Sequence, residues 1–264
     1  MVELEESIDR VLMGPERKSR RMSPKEREVI AYHEAGHALV AKMLPDSDPP
    51  RKVSIIARGT ALGYTKKLLE DTNIQTLSRY KATLATNMGG RAAEELIFNE
   101  LSTGASSDIK TATELAHAMV TNYGMSKILG PRTFGQKEEM IFLGREISEQ
   151  RDYGEKVADQ IDGEINRIIE EAYTTAIKVL SENRAKLLQL AQALITKETL
   201  EGDELDAVFN TPPSDQTTPP AVTSITPTAL PSGEDKPKST HLKRKPAGGI
   251  PGISPQPKQS PSPS

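Results

Sequence analysis

Ala31-Tyr32-His33-Glu34-Ala35-Gly36-His37-Ala38 sits inside a stretch whose apolar residues recur with helical period, and its reading decides the fold around it. On an α-helix, positions four apart stack one above the other, with Cβ atoms about 5–6 Å apart. His33 and His37 can therefore aim both imidazoles at one point, a two-nitrogen clamp suited to a zinc ion. Glu34 stands one residue on, about 100° round the helix, where its carboxylate reaches a water instead of the ion. Zinc lowers the pKa of such a water to about 7, and a carboxylate beside it takes the proton as the water attacks a peptide carbonyl. The chain holds only four His, and two of them share this face.

The sequence also says where that helix begins and ends. Ser23-Pro24-Lys25-Glu26 combines a Ser N-cap, Pro at the first helical position and Glu at the third, which closes a capping box. Pro45 stops the helix near Leu44. Between them Val29, Tyr32, Gly36, Leu39, Val40 and Met43 form the stripe expected to face the core. Gly36 costs about 1 kcal/mol against Ala in a helix interior, so a second backbone or the substrate is expected to pass close to it.

Composition divides the chain unevenly. All ten Phe and Tyr lie at or before Phe209, whereas 13 of the 19 Pro lie from Pro212 onward. The first 210 residues can bury a core and the last 54 cannot, so residues 210–264 are expected to be a disordered Pro/Ser/Thr-rich tail. The net charge of −3 gives no argument for nucleic acid, and no aromatic residues interleave with the basic run Arg17, Lys18, Arg20, Arg21. Without Cys there is neither a disulfide nor a thiol nucleophile. No apolar run approaches the ~18–20 residues of a membrane span, so the chain as given is expected to be soluble.

Around the zinc motif the pattern is mainly helical. A short helix over residues 2–13 stops at Gly14-Pro15. Two short strands, 52–57 and 62–66, are joined by a turn around Arg58-Gly59. Zinc peptidases commonly hold their substrate as an added strand along a sheet edge, and this hairpin is the edge the chain offers; equally, it could simply cap the helices. Further helices are expected over about 73–99, from Asp108 to Gly124, and over about 152–181, 183–195 and 202–209, with a loop over 131–147. Gly89-Gly90 interrupts the second of the long helices, which implies close packing or a kink. His117 lies nine positions beyond Asp108, on the opposite side of its helix, and reads as a surface residue.

Two histidines leave a zinc site incomplete, because a catalytic centre uses three protein ligands. No third His is well placed, so a carboxylate must serve, and spacing alone leaves Glu94, Glu95 and Asp108 all eligible.

Several ordered motifs narrow the choice. Gly14-Pro15-Glu16, the His33 to Ala38 segment, Leu62-Gly63-Tyr64-Thr65, Gly89-Gly90-Arg91-Ala92-Ala93-Glu94-Glu95, Ser102-Thr103-Gly104-Ala105-Ser106-Ser107-Asp108 and Lys197-Glu198-Thr199-Leu200 together resemble the C-terminal peptidase domain of FtsH-type ATP-dependent zinc metalloproteases. The resemblance covers about residues 3–209. It implies that Asp108 completes the zinc site with His33 and His37, that Glu34 is the general base, and that a Glu of the Gly-Gly-Arg-Ala-Ala-Glu-Glu run supports the site from behind the ligands, Glu95 ahead of Glu94.

The chain departs from the family pattern in places. Ser107 stands where the family has Asn, and Leu68-Leu69-Glu70-Asp71 replaces the usual Leu-Pro-Glu segment. No G-x-x-x-x-G-K-[ST] phosphate loop is present.

The resulting expectation is a mainly α fold: a helical zinc-peptidase domain over 23–209, with a small β-hairpin or sheet edge beside the active-site helix, followed by the tail. Residues 1–22 resemble a linker from an ATPase module. The resemblance implies a zinc endopeptidase of unfolded polypeptides, membrane proteins among them, built as a homo-hexamer and fed by an ATPase ring. It also implies a membrane-anchored protease with this domain on the cytoplasmic, matrix or stromal side. The rival reading is a catalytically silent, zinc-containing assembly module of a protease ring, and the intact Glu34 argues against it.

Overall fold

In a computed structural model of the chain, the described residues are 22–57, 63–67, 74–135 and 153–212, with Ser7, Arg10 and Val11 besides. They belong to the first of two compact units, Met1–Val222. Most of the expected 2–13 helix, the turn around Arg58-Gly59, most of the 131–147 loop and the Pro-rich stretch beyond residue 212 lie outside the described residues.

Among those residues the fold is mostly helical with a small antiparallel sheet. In order come α1 (Pro24–Met43), β1 (Pro50–Ser54), β2 (Tyr64–Lys67), α2 (Leu77–Phe98), a 3-10 turn (Thr103–Ala105), α3 (Ser106–Thr121), α4 (Glu155–Glu182), α5 (Arg184–Lys197), β3 (Thr199–Glu201) and α6 (Gly202–Asn210). None of the described helices is long and apolar enough to cross a membrane.

The capping box forms as its residues require. Ser23 Oγ accepts the Glu26 N–H at 3.2 Å, and Glu26 Oε2 accepts the Ser23 N–H at 2.8 Å. Leu44, in extended conformation ahead of Pro45, ends α1. Between these points α1 differs from a one-sided amphipathic helix. Every residue from Ile30 to Ala41 is buried, because α2, α5 and the sheet pack around it, whereas Met43 at its end is exposed. A helix enclosed in this way carries its functional groups in a dry, rigid setting.

Close approach to α2 explains the helical glycines. A Cβ on Gly36 would run into the main-chain carbonyl of Gly89, and one on Gly89 would sit 2.8 Å from the Gly36 carbonyl oxygen. The two backbones meet where both lack a side chain. α2 continues through Gly89-Gly90 as one helix, so the pair marks packing rather than a kink.

α4 and α5 close the core. In α4, Ile161, Ile165, Ile168, Ala172, Ala176 and Leu180 recur every three or four residues and are buried against α2 and α3. Leu187, Leu190 and Leu194 of α5 are fully buried where that helix packs on α1. Each such leucine contributes about 1.5–3 kcal/mol through removal from water.

The sheet has the order β2-β1-β3, antiparallel throughout. Val53 pairs with Thr65 on one side and Leu200 on the other, and Ser54 pairs with Tyr64 and Thr199. β3 was not anticipated from sequence; it makes β1 the central strand and leaves β2 on the outside.

Candidate metal centre

Two helices bring the site together. α1 supplies His33, Glu34 and His37, all buried. The first turn of α3 supplies Asp108. Ligand-capable atoms of His33, His37 and Asp108 lie within 4.8 Å of one another, the one such grouping of three found among the described residues. Asp108 Oδ2 is 3.3 Å from His33 Nε2 and 3.6 Å from His37 Nε2, and the two Nε2 atoms are 3.0 Å apart.

The partners behind the imidazoles fix which nitrogens face inward. His37 Nδ1 lies 2.7 Å from the main-chain oxygen of Thr86, which can only accept, so Nδ1 carries the proton. His33 Nδ1 lies 2.7 Å from Glu94 Oε1, and the carboxylate acceptor makes the same demand. In the neutral imidazoles both Nε2 atoms then turn lone pairs to each other and to the Asp108 carboxylate. Three electron-rich atoms converging in this way repel unless a proton or a metal cation lies among them. Two imidazole nitrogens and one carboxylate oxygen, with the far nitrogens anchored, form a donor set that fits zinc.

The electrostatics agree. Burial alone would push the His33 imidazole down, but hydrogen bonding to Asp108 and Glu94 and the charge of Glu34 outweigh it and carry the pKa up to about 10. Burial would likewise raise Asp108, yet its bonds with His33 and His37 hold it well below the usual carboxylate range. Both shifts express a pocket that calls for positive charge. Burial pushes the Glu34 carboxyl up, and the nearby His37 and His33 charges and the Thr65 hydroxyl only partly offset this.

Glu94, which the family resemblance placed behind Glu95, is the residue that supports the site. Its Oε1 meets His33, and its Oε2 accepts the Ser102 N–H at 2.9 Å. It is almost wholly buried, and its two partners outweigh burial to keep its pKa lowered. Glu95, expected to take that place, lies about 100° further round α2 and accepts a hydrogen bond from the Tyr173 hydroxyl of α4. Helical phase decides between them: a Cβ on Gly90 would meet the His33 ring, and Glu94 is one turn beyond Gly90 on the same face.

Ser102 connects this support to Asp108. Its Oγ accepts the Gly104 N–H at 3.0 Å, starting the 3-10 turn that leads directly into α3 and Asp108. Glu94 therefore fixes both a histidine and the turn that delivers the acid.

Two further contacts carried no signal by residue type. The Thr86 carbonyl is a main-chain group, and Thr65, from β2, donates its hydroxyl to Glu34 Oε2 at 2.9 Å. Only the side-by-side placement of β2 and α1 exposes the second. His117 is exposed on α3, away from the cluster, as expected.

A helix carrying His-Glu-x-x-His, completed by a carboxylate from another helix and enclosed by a mainly helical fold, defines a metal-dependent peptidase. Comparison with known proteins narrows this: residues 20–208 match peptidase family M41, and the chain belongs to that family. It is 51% identical over 258 residues to the ATP-dependent zinc metalloprotease FtsH 1 of Thermomicrobium roseum, a match covering 97% of this chain and 39% of that protein. It is 55% identical over 223 residues to FtsH 1 of Sphaerobacter thermophilus (84% and 34%). It is 52% identical over 214 residues to FtsH of Chloroflexus aggregans (79% and 33%). The chain thus spans two fifths or less of the length of these relatives.

Proposed function

We propose that the chain is the proteolytic module of an FtsH-type zinc metalloprotease, cutting peptide bonds within unfolded polypeptides. Residues 23–209 form the peptidase domain in this reading, and residues 1–22 lead from an ATPase module. The observation that carries it is the convergence of His33 Nε2, His37 Nε2 and Asp108 Oδ2, with Glu34 buried alongside. Zinc, when bound by these three residues, supplies Lewis acidity that activates water and polarises the scissile carbonyl. The remaining work falls to the chain. His33 and His37 keep their Nδ1 protons on Glu94 and Thr86, so their inward nitrogens stay free to bind metal. Glu34 takes a proton from water as the new C–O bond forms and hands it to the departing amine. The enclosed α1 keeps competing solvent from the carboxylate.

The names of the relatives, ATP-dependent zinc metalloproteases, support an ATPase partner in the whole protein; the homo-hexameric ring and the membrane anchor, with the peptidase on the cytoplasmic, matrix or stromal side, belong to the same proposal and rest on the family resemblance. Without an ATPase, this chain cuts chains that are already unfolded, and ATP makes no difference.

Glu34→Gln provides the test. The variant keeps about one zinc per chain and loses cleavage of unfolded casein by about 10²–10⁴-fold. Retained cleavage sinks the assignment of the base. An unmodified, zinc-loaded chain that cuts nothing favours the silent assembly module, and ATP-driven breakdown of a folded substrate by this chain alone overturns the need for a separate ATPase.

A further inference from the structure

The carboxylate of Glu34 is gripped from the sheet. Thr65 Oγ1 donates to Oε2 at 2.9 Å, and the same hydroxyl lies 3.3 Å from the Glu34 main-chain oxygen. A hydroxyl has one proton to give, so the nearer carboxylate oxygen receives it, while the second contact sets the hydroxyl against the wall of α1. The main chain closes in from the other side at Gly63, where a Cβ would lie 2.8 Å from Oε1, 2.9 Å from Cγ and 2.9 Å from the Ser54 carbonyl oxygen. Gly63 immediately precedes β2, and Thr65, within it, pairs with the buried Val53. The outer strand therefore fixes one oxygen of the carboxylate and leaves just enough space for the other.

Geometry of this kind matters to proton transfer. A glutamate side chain has three torsions, and a carboxylate free to explore them is seldom within the roughly 2.6–3.2 Å that transfer requires. We infer that Thr65 is the positioning residue for the base: its hydroxyl holds Oε2 so that Oε1 is the oxygen that takes the proton of the attacking water. In that step the water O–H bond breaks, its proton passes to Oε1, and the oxygen's electron pair forms the bond to the carbonyl carbon; Thr65 keeps its own proton throughout. A side chain at residue 63 would turn the carboxylate out of this orientation. The inference rests on the reading of Glu34 as general base.

The test compares Thr65→Val, which keeps the branched shape and removes the hydroxyl, with Thr65→Ser, which keeps the hydroxyl, each in the full chain loaded with zinc. Zinc content, affinity for a peptide hydroxamate by calorimetry, and kcat and KM on an unfolded fluorogenic peptide are measured. A hydroxamate serves as probe because, besides seeking the metal, it needs a carboxylate to accept its proton. Thr65→Val is expected to hold zinc normally, bind the hydroxamate about tenfold more weakly, and lose about 10- to 100-fold in kcat with KM within about twofold. Thr65→Ser should stay within about threefold of the unmodified chain on each measure. Equal hydroxamate affinity in all three proteins overturns the inference, even if none cleaves the peptide. So does a Ser variant as impaired as the Val variant, or loss of zinc from Thr65→Val, which would assign the hydroxyl to the scaffold. Glu34→Gln separates the two levels: zinc-loaded Glu34→Gln that still cleaves sinks the base itself, whereas its inactivity beside a fully active Thr65→Val sinks only the role of Thr65.

Discussion

His33 Nδ1 lies 2.7 Å from Glu94 Oε1, and the other oxygen of the same carboxylate takes the Ser102 N–H at 2.9 Å. One acid thus orients an imidazole and anchors the turn that carries Asp108. Glu94→Gln should weaken zinc binding about 10- to 100-fold, the usual consequence of losing such a partner, while Glu95→Gln changes it by less than about twofold. Competition with a chromophoric chelator reads both, and equal loss in the two variants would refute the assignment of Glu94.

Asp108 sits closer to the inward nitrogens than any helix-dipole role requires. Asp108→Ala should lower zinc affinity by more than about 100-fold, beyond what removal of a supporting residue causes. Zinc at a thousandfold excess over Kd should stabilise the unmodified chain by about 4 kcal/mol, and Asp108→Ala should gain little at the same concentration. Thermal melts with zinc and with a chelator measure the difference.

The seam between α1 and α2 leaves no room for a methyl group at Gly36 or Gly89, whereas Gly163 on α4 has nothing near it. Gly36→Ala and Gly89→Ala should each destabilise by about 1–3 kcal/mol through overpacking. Gly163→Ala should stabilise by about 0.5–1 kcal/mol through helix propensity. Urea unfolding of the three variants checks the contrast in sign.

Glu164 is a buried acid remote in role from the metal. Ser126 Oγ donates to its Oε2 at 2.7 Å, and Arg167 Nε donates to its Oε1 at 2.8 Å. The Arg167 bond, aided by Ser126, holds its pKa below the usual glutamate value despite burial. The folded-state value is the lower one, so this stabilisation is present above the ordinary glutamate pKa near 4.3 and disappears as pH falls through the folded value. Glu164→Gln should lose about 2 kcal/mol at pH 7, and the gap from the unmodified chain should shrink as the pH drops below about 4. Chemical denaturation at pH 7, 5 and 3.5 gives the profile; a gap that stays constant across it would count against the reading.

Much of this was legible from local chemistry. Ser23, Pro24 and Glu26 announce where α1 starts, and the spacing of His33 and His37 announces the clamp, because both depend only on helix geometry. Asp108 was different: spacing left it beside Glu94 and Glu95, and the family resemblance preferred it; the fold then brings its carboxylate next to His33 and His37. Glu95 was preferred to Glu94 because one residue of helical phase cannot be judged before the neighbouring helix is known. β3 escaped notice because Thr199-Leu200-Glu201 is too short to display alternation, and it is held by pairing with β1 more than by its own residues. The full enclosure of α1 was hidden for a related reason. Its small residues Ala31, Ala35, Ala38 and Ala41 read as neutral in a hydropathy pattern, although they are what allows neighbours to approach from every side.

The meeting of Gly36 with Gly89 has a bearing on chemistry as well as on stability. One strut of the crossing carries His33, Glu34 and His37; the other carries the Thr86 carbonyl and Glu94, which aim those rings. Two rods in main-chain contact have no compressible cushion between them, so the tolerance on the donor atoms is set by peptide against peptide. Widening that joint by a single carbon would detune the aim of both rings at once, without altering His33, His37 or Asp108.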